Sequence, residues 1–142
     1  MAKKKIDRQI TGMSGEYFVA AELLKRNYQV AMTIGNAKAI DLYATDEETG
    51  KAYQIQVKTL RKKPNCFTLH TEKIREDAIY FFVYLNGENE NIDYHILRGS
   101  ELLKDKKHFY GASWGRKDKR ETVNHGPIKA VSYTHLTLPT KA

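Results

Sequence analysis

Residues 39–60 read AIDLYATDEETGKAYQIQVKTL, and the two runs of alternation within them decide the fold. In residues 39–45, Ile40, Leu42 and Ala44 fall on one face of an extended strand, and Asp41, Tyr43 and Thr45 fall on the other. In residues 52–60, Tyr53, Ile55 and Val57 share one face, and Gln54, Gln56 and Lys58 share the other. The polar residues 46–51 between them include Gly50 and make a turn, so the segment reads as a β-hairpin. Opposed residues in an antiparallel hairpin have a constant index sum. A turn centred between Glu48 and Thr49 gives a sum of 97 and sets Asp41 against Gln56, whereas one centred on Thr49-Gly50 gives 99 and sets Asp41 against Lys58. Either register makes Asp41 a neighbour of both residues on one face.

Upstream, Ser14 suits a helix N-cap, and residues 15–27 fit a helical wheel. Tyr17, Val19, Ala20, Ala21, Leu23, Leu24 and Tyr28 form its apolar arc, with Glu22, Lys25 and Arg26 opposite. Glu16 lies inside that arc and so presents a carboxylate toward the hairpin. A carboxylate in a first helical turn is also what the helix dipole favours. Residues 29–33 read as a short strand and residues 34–37 as a turn or bulge. Downstream, the basic residues 61–65 contain Pro64 and end the hairpin strand. Residues 72–77 have room for one or two helical turns. Residues 79–85 form an apolar, aromatic strand buried on both faces. A loop opens at Asn86-Gly87, residues 93–97 are a further strand, and Ser100 caps a helix over 101–107. From His108 onward no element is assigned, but residues 101–130 carry eight Lys or Arg against four Asp or Glu.

The bulk composition agrees with a folded α/β domain. Of 142 residues, 41% are apolar and 29% charged, and 24 Lys and Arg against 17 Asp and Glu leave a net charge of +7. That surplus favours a polyanionic partner such as nucleic acid. The single cysteine, Cys66, excludes an internal disulfide and is too few ligands for a Cys-based zinc site. No apolar stretch follows the basic start, so no secretory leader is read, and the longest apolar run falls far short of a membrane span. The expected location is cytoplasmic, with no membrane partner. Residues 1–11 read as a basic arm and residues 12–130 as one domain. Residues 131–142 resemble translated sequencing-adapter read-through and are set aside from the functional reading.

The polar face of the hairpin has a defined chemistry. Phosphodiester hydrolysis needs an activated water, stabilisation of extra charge on the phosphate and help for the leaving oxygen. Asp41 can hold Mg²⁺ (or Mn²⁺), which takes hard oxygen ligands. The Gln56 side-chain oxygen and the Val57 backbone carbonyl can add further oxygens, and Glu16 can complete the set. Lys58 can orient or deprotonate the water and offset developing charge. Lys38 precedes the first hairpin strand and Arg61, Lys62 and Lys63 follow the second, where they could hold nucleic-acid phosphates.

These residues, in this order, resemble the PD-(D/E)XK nuclease superfamily. The match runs from Gly15-Glu16 through Ala39-Ile40-Asp41-Leu42 to Ile55-Gln56-Val57-Lys58-Thr59 and covers residues 12–107. The likeness is to small stand-alone bacterial members and, more distantly, to Holliday-junction resolvases and restriction endonucleases. It implies a restriction-endonuclease-like α/β core, a mixed β-sheet flanked by helices in the order αβββαβ. It also implies a Mg²⁺-dependent endonuclease acting on DNA, with Glu16, Asp41, Gln56 and Lys58 at its motif positions. Such proteins often work as homodimers, because a duplex has two strands. The sequence departs from the motif at Gln56, where Asp or Glu is usual. A neutral oxygen there removes one negative charge and weakens metal binding. The alternative is therefore a catalytically weak or inactive nucleic-acid-binding module on the same fold.

Overall fold

The hairpin forms in the register whose index sum is 97. Strand β2 (Leu42–Asp46) pairs antiparallel with β3 (Ala52–Leu60), with Leu42 against Ile55 and Ala44 against Tyr53. Gly50 closes the turn with a φ of +73°, a left-handed conformation that glycine adopts without strain. Asp46 anchors the turn: its carbonyl accepts the Gly50 N–H and its side chain accepts the Glu48 N–H. Strand β1 (Tyr28–Met32) pairs antiparallel with the other edge of β2. A computed structural model describes residues 8–33, 40–62, 66–116 and 120–131, the last three as backbone only. Lys38, Lys63, the turn at 34–37 and residues 132–142 lie outside the described residues.

Strand β5 (Ile79–Tyr84) runs parallel to β3, and β6 (Asp93–Arg98) runs antiparallel to β5. The mixed sheet therefore has the order β1-β2-β3-β5-β6, with β4 (Phe67–Thr68) reserved for a small separate pairing with β7 (Thr122–Val123). All six residues of β5 are buried, because the sheet is covered on both faces. On one face Ile79, Phe81 and Val83 join Leu42, Ala44, Tyr53, Ile55 and Val57 beneath helix α1 (Arg8–Lys25). On the other, Tyr80, Phe82 and Tyr84 pack with Leu102 of α2 (Gly99–Lys104), Phe109 of α3 (Lys106–Tyr110) and Ile128 of α4 (His125–Val131). Among the described residues no helix is long and apolar enough to cross a membrane.

Five expectations of local structure are corrected. Helix α1 begins at Arg8, so residues 8–11 belong to the helix and not to the arm. Ser14 does not cap it: its hydroxyl donates to the Ile10 carbonyl one turn back, a bond made inside a helix. The buried stripe is also narrower than the expected arc. It consists of Gly15, Val19, Ala20 and Leu23, while Ala21 is exposed and Tyr17 and Leu24 are each 57% exposed. Small residues bring the helix so close to the sheet that only a thin strip of it is covered. The expected α/β core, a mixed sheet flanked by helices, is present, and its order differs from αβββαβ at the β3-to-β5 crossover. The described residues between 61 and 78 hold β4 and a 3₁₀ turn (Thr71–Lys73) but no α-helix, and the helices covering that face, α2 to α4, follow β6. Finally, Ser100 lies within α2. The capping position is Arg98, whose N–H donates to the Glu101 carboxylate.

Candidate active site

The alternation of β2 breaks at Asp41, and that break builds the site. The Asp41 N–H donates to the Ile55 carbonyl at 2.9 Å, although Ile55 is already the partner of Leu42. Two residues of one strand against one of the other is the count of a β-bulge, which re-aims a side chain. Ile40 consequently leaves the face of Leu42 and Ala44. It is 4% exposed and packs in the opposite cluster, with Tyr80 and Phe82. The expectation that Ile40, Leu42 and Ala44 share a face is thus corrected, because the extra residue shifts the period by one. The Thr33 hydroxyl, just past the end of β1, stabilises the break, lying 2.9 Å from the Ile40 carbonyl and 3.1 Å from the Asp41 carbonyl, between which its one proton is shared.

The Asp41 carboxylate accepts the Val57 N–H at 2.7 Å. Its main-chain bond to Ile55 and its side-chain bond to Val57 therefore bracket Gln56. The Val57 carbonyl leaves β3 on the same edge as its N–H, the edge facing Asp41. Glu16 reaches the site from α1. It is the ninth residue of the helix, not part of its first turn, so the N-terminal dipole does not account for it. Gly15 makes the approach possible: a Cβ there would lie 1.8 Å from the Thr59 hydroxyl oxygen on β3.

Burial unsettles every charge here. It raises the pKa of Glu16, and the Asp41 charge raises it further. It raises that of Asp41 too, against the lowering effects of the Val57 N–H and the Lys58 ammonium. Burial lowers the pKa of Lys58, opposed by Asp41 and reinforced by Lys73. Two carboxylates and a lysine, all pushed toward neutrality in one partly buried place, mark a site built at a cost in stability. The available donors are two carboxylates, an amide oxygen and a carbonyl, all hard oxygens of the kind that hold Mg²⁺. Among the described residues no group of three His, Cys, Asp or Glu is gathered, and the donor set here counts two carboxylates with Gln56 in place of a third.

The structure also sorts the basic residues. Arg61 points back to α1, donating from Nε to the Thr11 hydroxyl at 2.9 Å. It lines a recess of about 360 Å³ together with Lys58, Phe67, Arg8 and Arg120. Lys62 instead borders a separate recess beside Glu90 and Asp93. Arg8, Arg120 and the buried Glu121 escaped the sequence reading. Arg8 sat in a stretch read as an arm, and the other two in a segment without periodicity. The +4 local charge of residues 101–130 was the available signal for Arg120.

No protein-family model and no curated protein matches the chain. Solved structures do, and two of them are nucleases. One is a bacterial homing endonuclease, with a TM-score of 0.52 and 17% identity over 70% of this chain and 74% of that one. The other is Hjc, a Holliday junction resolvase of Archaeoglobus fulgidus, with a TM-score of 0.51 and 13% identity over 84% of this chain and 88% of that one. The chain has a restriction-endonuclease-like fold. At these identities the likeness is one of fold, a distant nuclease-fold relationship, and the chemistry must be argued from Asp41 and its neighbours.

Proposed function

We propose that this chain is a metal-dependent endonuclease that hydrolyses phosphodiester bonds of DNA at Glu16, Asp41, Gln56 and Lys58. The observation that carries the reading is the bracketing of Gln56 by Asp41, with Lys58 and Glu16 in electrostatic reach. Asp41, Glu16, the Gln56 side-chain oxygen and the Val57 carbonyl would hold Mg²⁺ or Mn²⁺. When bound, the ion supplies Lewis-acid charge beside the phosphate. The residues do the remainder. Asp41 is fixed by the Val57 N–H, so its free oxygen keeps one direction. Lys58, with its pKa lowered by burial, can orient an attacking water, exchange a proton with it and offset charge on the phosphate. Arg61, with Lys38 and Lys63, would hold flanking phosphates, whereas Lys62 borders a recess with Glu90 and Asp93 that does not favour a phosphate. Two copies of the chain would place one site on each strand of a duplex, and sedimentation with and without DNA reads that stoichiometry. A nucleic-acid substrate would place this chain in the cytoplasm.

The test incubates the protein with plasmid, branched and single-stranded DNA in Mg²⁺ or Mn²⁺. Cleavage is expected from the wild type, and a loss of about 100-fold or more from Asp41→Ala and from Lys58→Ala. No cleavage by the wild type, or equal cleavage by the variants, sinks the proposal. The neutral Gln56 favours a second reading, a binding module with a weak or idle site. That reading predicts salt-dependent DNA binding that survives Asp41→Ala and needs no metal.

A further inference from the structure

We infer that Arg8, Arg61 and Arg120 form a cradle for one phosphate group of a nucleic-acid strand, next to and distinct from the phosphate that is cut. The three come from separate parts of the chain: the start of α1, the end of β3 and the segment leading into β7. They line one recess of about 360 Å³, with Lys58 on its wall facing the site. That volume suits a single nucleotide, not a groove's length of duplex. Among the described residues no Asp or Glu lines the recess. Among the described residues no ion pair joins any of the three guanidiniums to a carboxylate. Three like charges gathered without an internal counter-ion repel one another, and an external anion relieves that repulsion.

Two features hold the cradle in shape. The Thr11 hydroxyl takes the Arg61 Nε–H, leaving the terminal N–H donors of a five-donor fork directed elsewhere. Glu121, beside Arg120, is 6% exposed and accepts the N–H groups of Thr71 and Gly115 at 2.9 and 2.8 Å. The segment carrying Arg120 is thereby tied to the 3₁₀ turn that follows β4. Phosphate is the chemistry that a fork of guanidiniums recognises. The inference rests on the nuclease reading only in naming the strand's neighbouring phosphate as the one at Lys58.

The experiment measures binding of fluorescent oligonucleotides by anisotropy in EDTA, across a range of salt, with 5′-phosphate and 5′-hydroxyl ends. One cradled phosphate releases about one counter-ion. The triple variant Arg8→Gln, Arg61→Gln, Arg120→Gln should therefore lower the slope of log K against log salt by about 0.7 on single strands. Its affinity should fall at least tenfold. Arg8→Gln alone, on the exposed start of α1, leaves two guanidiniums on the phosphate, so it should weaken binding several-fold and keep the wild-type slope. A 5′-phosphate preference that the triple variant loses assigns the cradle to a strand end, and equal binding of both ends assigns it to an in-chain phosphate. An unchanged slope and affinity in a triple variant with wild-type circular dichroism overturns the inference. So does a slope change near three times the single value, which would mean three independent contacts. If the triple variant does not fold, Arg8→Gln decides: wild-type affinity overturns the cradle. Binding in EDTA requires no cleavage. A slope change in a protein that cuts nothing removes the proposed function and keeps the cradle, and cleavage with an unchanged slope does the reverse.

Discussion

Replacing Gly15 by alanine tests whether α1 rests directly on β3. An ideal Cβ at Gly15 lies 1.8 Å from the Thr59 hydroxyl oxygen and 2.8 Å from Thr59 Cβ and Cγ2. Non-bonded heavy atoms prefer about 3.5–4.0 Å, so helix and strand must part by more than about 1 Å. Thr59 is β-branched and has few rotamers into which to retreat. Overpacking of this kind costs about 1–3 kcal/mol, and the stiff partner puts this case near the upper end. Alanine in a helix interior returns about 1 kcal/mol relative to glycine, leaving a net loss of about 2 kcal/mol. Gly12 in the same helix is the control, because a Cβ there meets nothing within 4 Å. Gly12→Ala should gain about 1 kcal/mol. The two variants should then differ by about 3 kcal/mol, or about 10 °C in Tm for a chain of this size. Thermal and urea unfolding followed by circular dichroism measure it. A Gly15→Ala protein at least as stable as the wild type would refute the close contact and, with it, the placement of Glu16.

Three further outcomes follow from the charged groups. Burial opposes the Glu121 charge, but the Gly115 and Thr71 N–H groups, the Thr71 hydroxyl and His70 outweigh it and hold its pKa below the ordinary 4.5. A lowered folded pKa gives stability that is present above pH 4.5 and lost as pH falls through the folded value. Glu121→Gln should therefore cost about 1.5–3 kcal/mol at neutral pH and flatten the acid limb of the stability curve, and a limb parallel to the wild type's contradicts it. Asp41 has the opposite sign. Its folded pKa is raised, so its contribution is full in acid and lost as pH rises, and at neutral pH its charge opposes folding. Asp41→Asn should raise Tm in EDTA while abolishing cleavage, and a fall in Tm argues against the burial of this charge. Gln56→Glu restores a carboxylate to the donor set, so the half-saturating Mg²⁺ concentration for cleavage should fall on the order of tenfold, about 1.4 kcal/mol. An unchanged metal dependence would remove Gln56 from the ligands.

The hairpin was legible because its information is local. Tyr53, Ile55 and Val57 alternate with Gln54, Gln56 and Lys58, and the observed burial of β3 repeats that alternation. The bulge at Asp41 was not legible, since no glycine marks it. It exists because Asp41 finds both the Ile55 carbonyl and the Val57 N–H across the strand pair. The start of α1 was hidden for a related reason. Arg8 to Thr11 is polar enough to read as an arm, and Thr11 acquires its partner, Arg61, from 50 residues away. Among the described residues the helix expected between β3 and β5 does not form, because α2 to α4, from beyond β6, already cover Tyr80, Phe82 and Tyr84. Period and propensity see neighbours in sequence, whereas a layer supplied from the far end of the chain is decided by packing.

Helix α1 thus does more than cover a face of the sheet. Gly15 sets its height above β3, Glu16 delivers a carboxylate toward Asp41, and Arg8 and Thr11 form one wall of the arginine recess. All four are on one rigid element, so a shift of the helix must act on the proposed cutting site and on the proposed cradle together. Gly15→Ala should therefore lose cleavage and oligonucleotide affinity in parallel, with cleavage falling on the order of 100-fold for about 1 Å of displacement. Arg8→Gln leaves the helix where it is and should lose affinity alone, with cleavage at saturating DNA near the wild-type rate. If the two variants instead show the same balance of losses, the helix is not the common support of both sites, and Glu16 must be held by something other than the contact of Gly15 with Thr59.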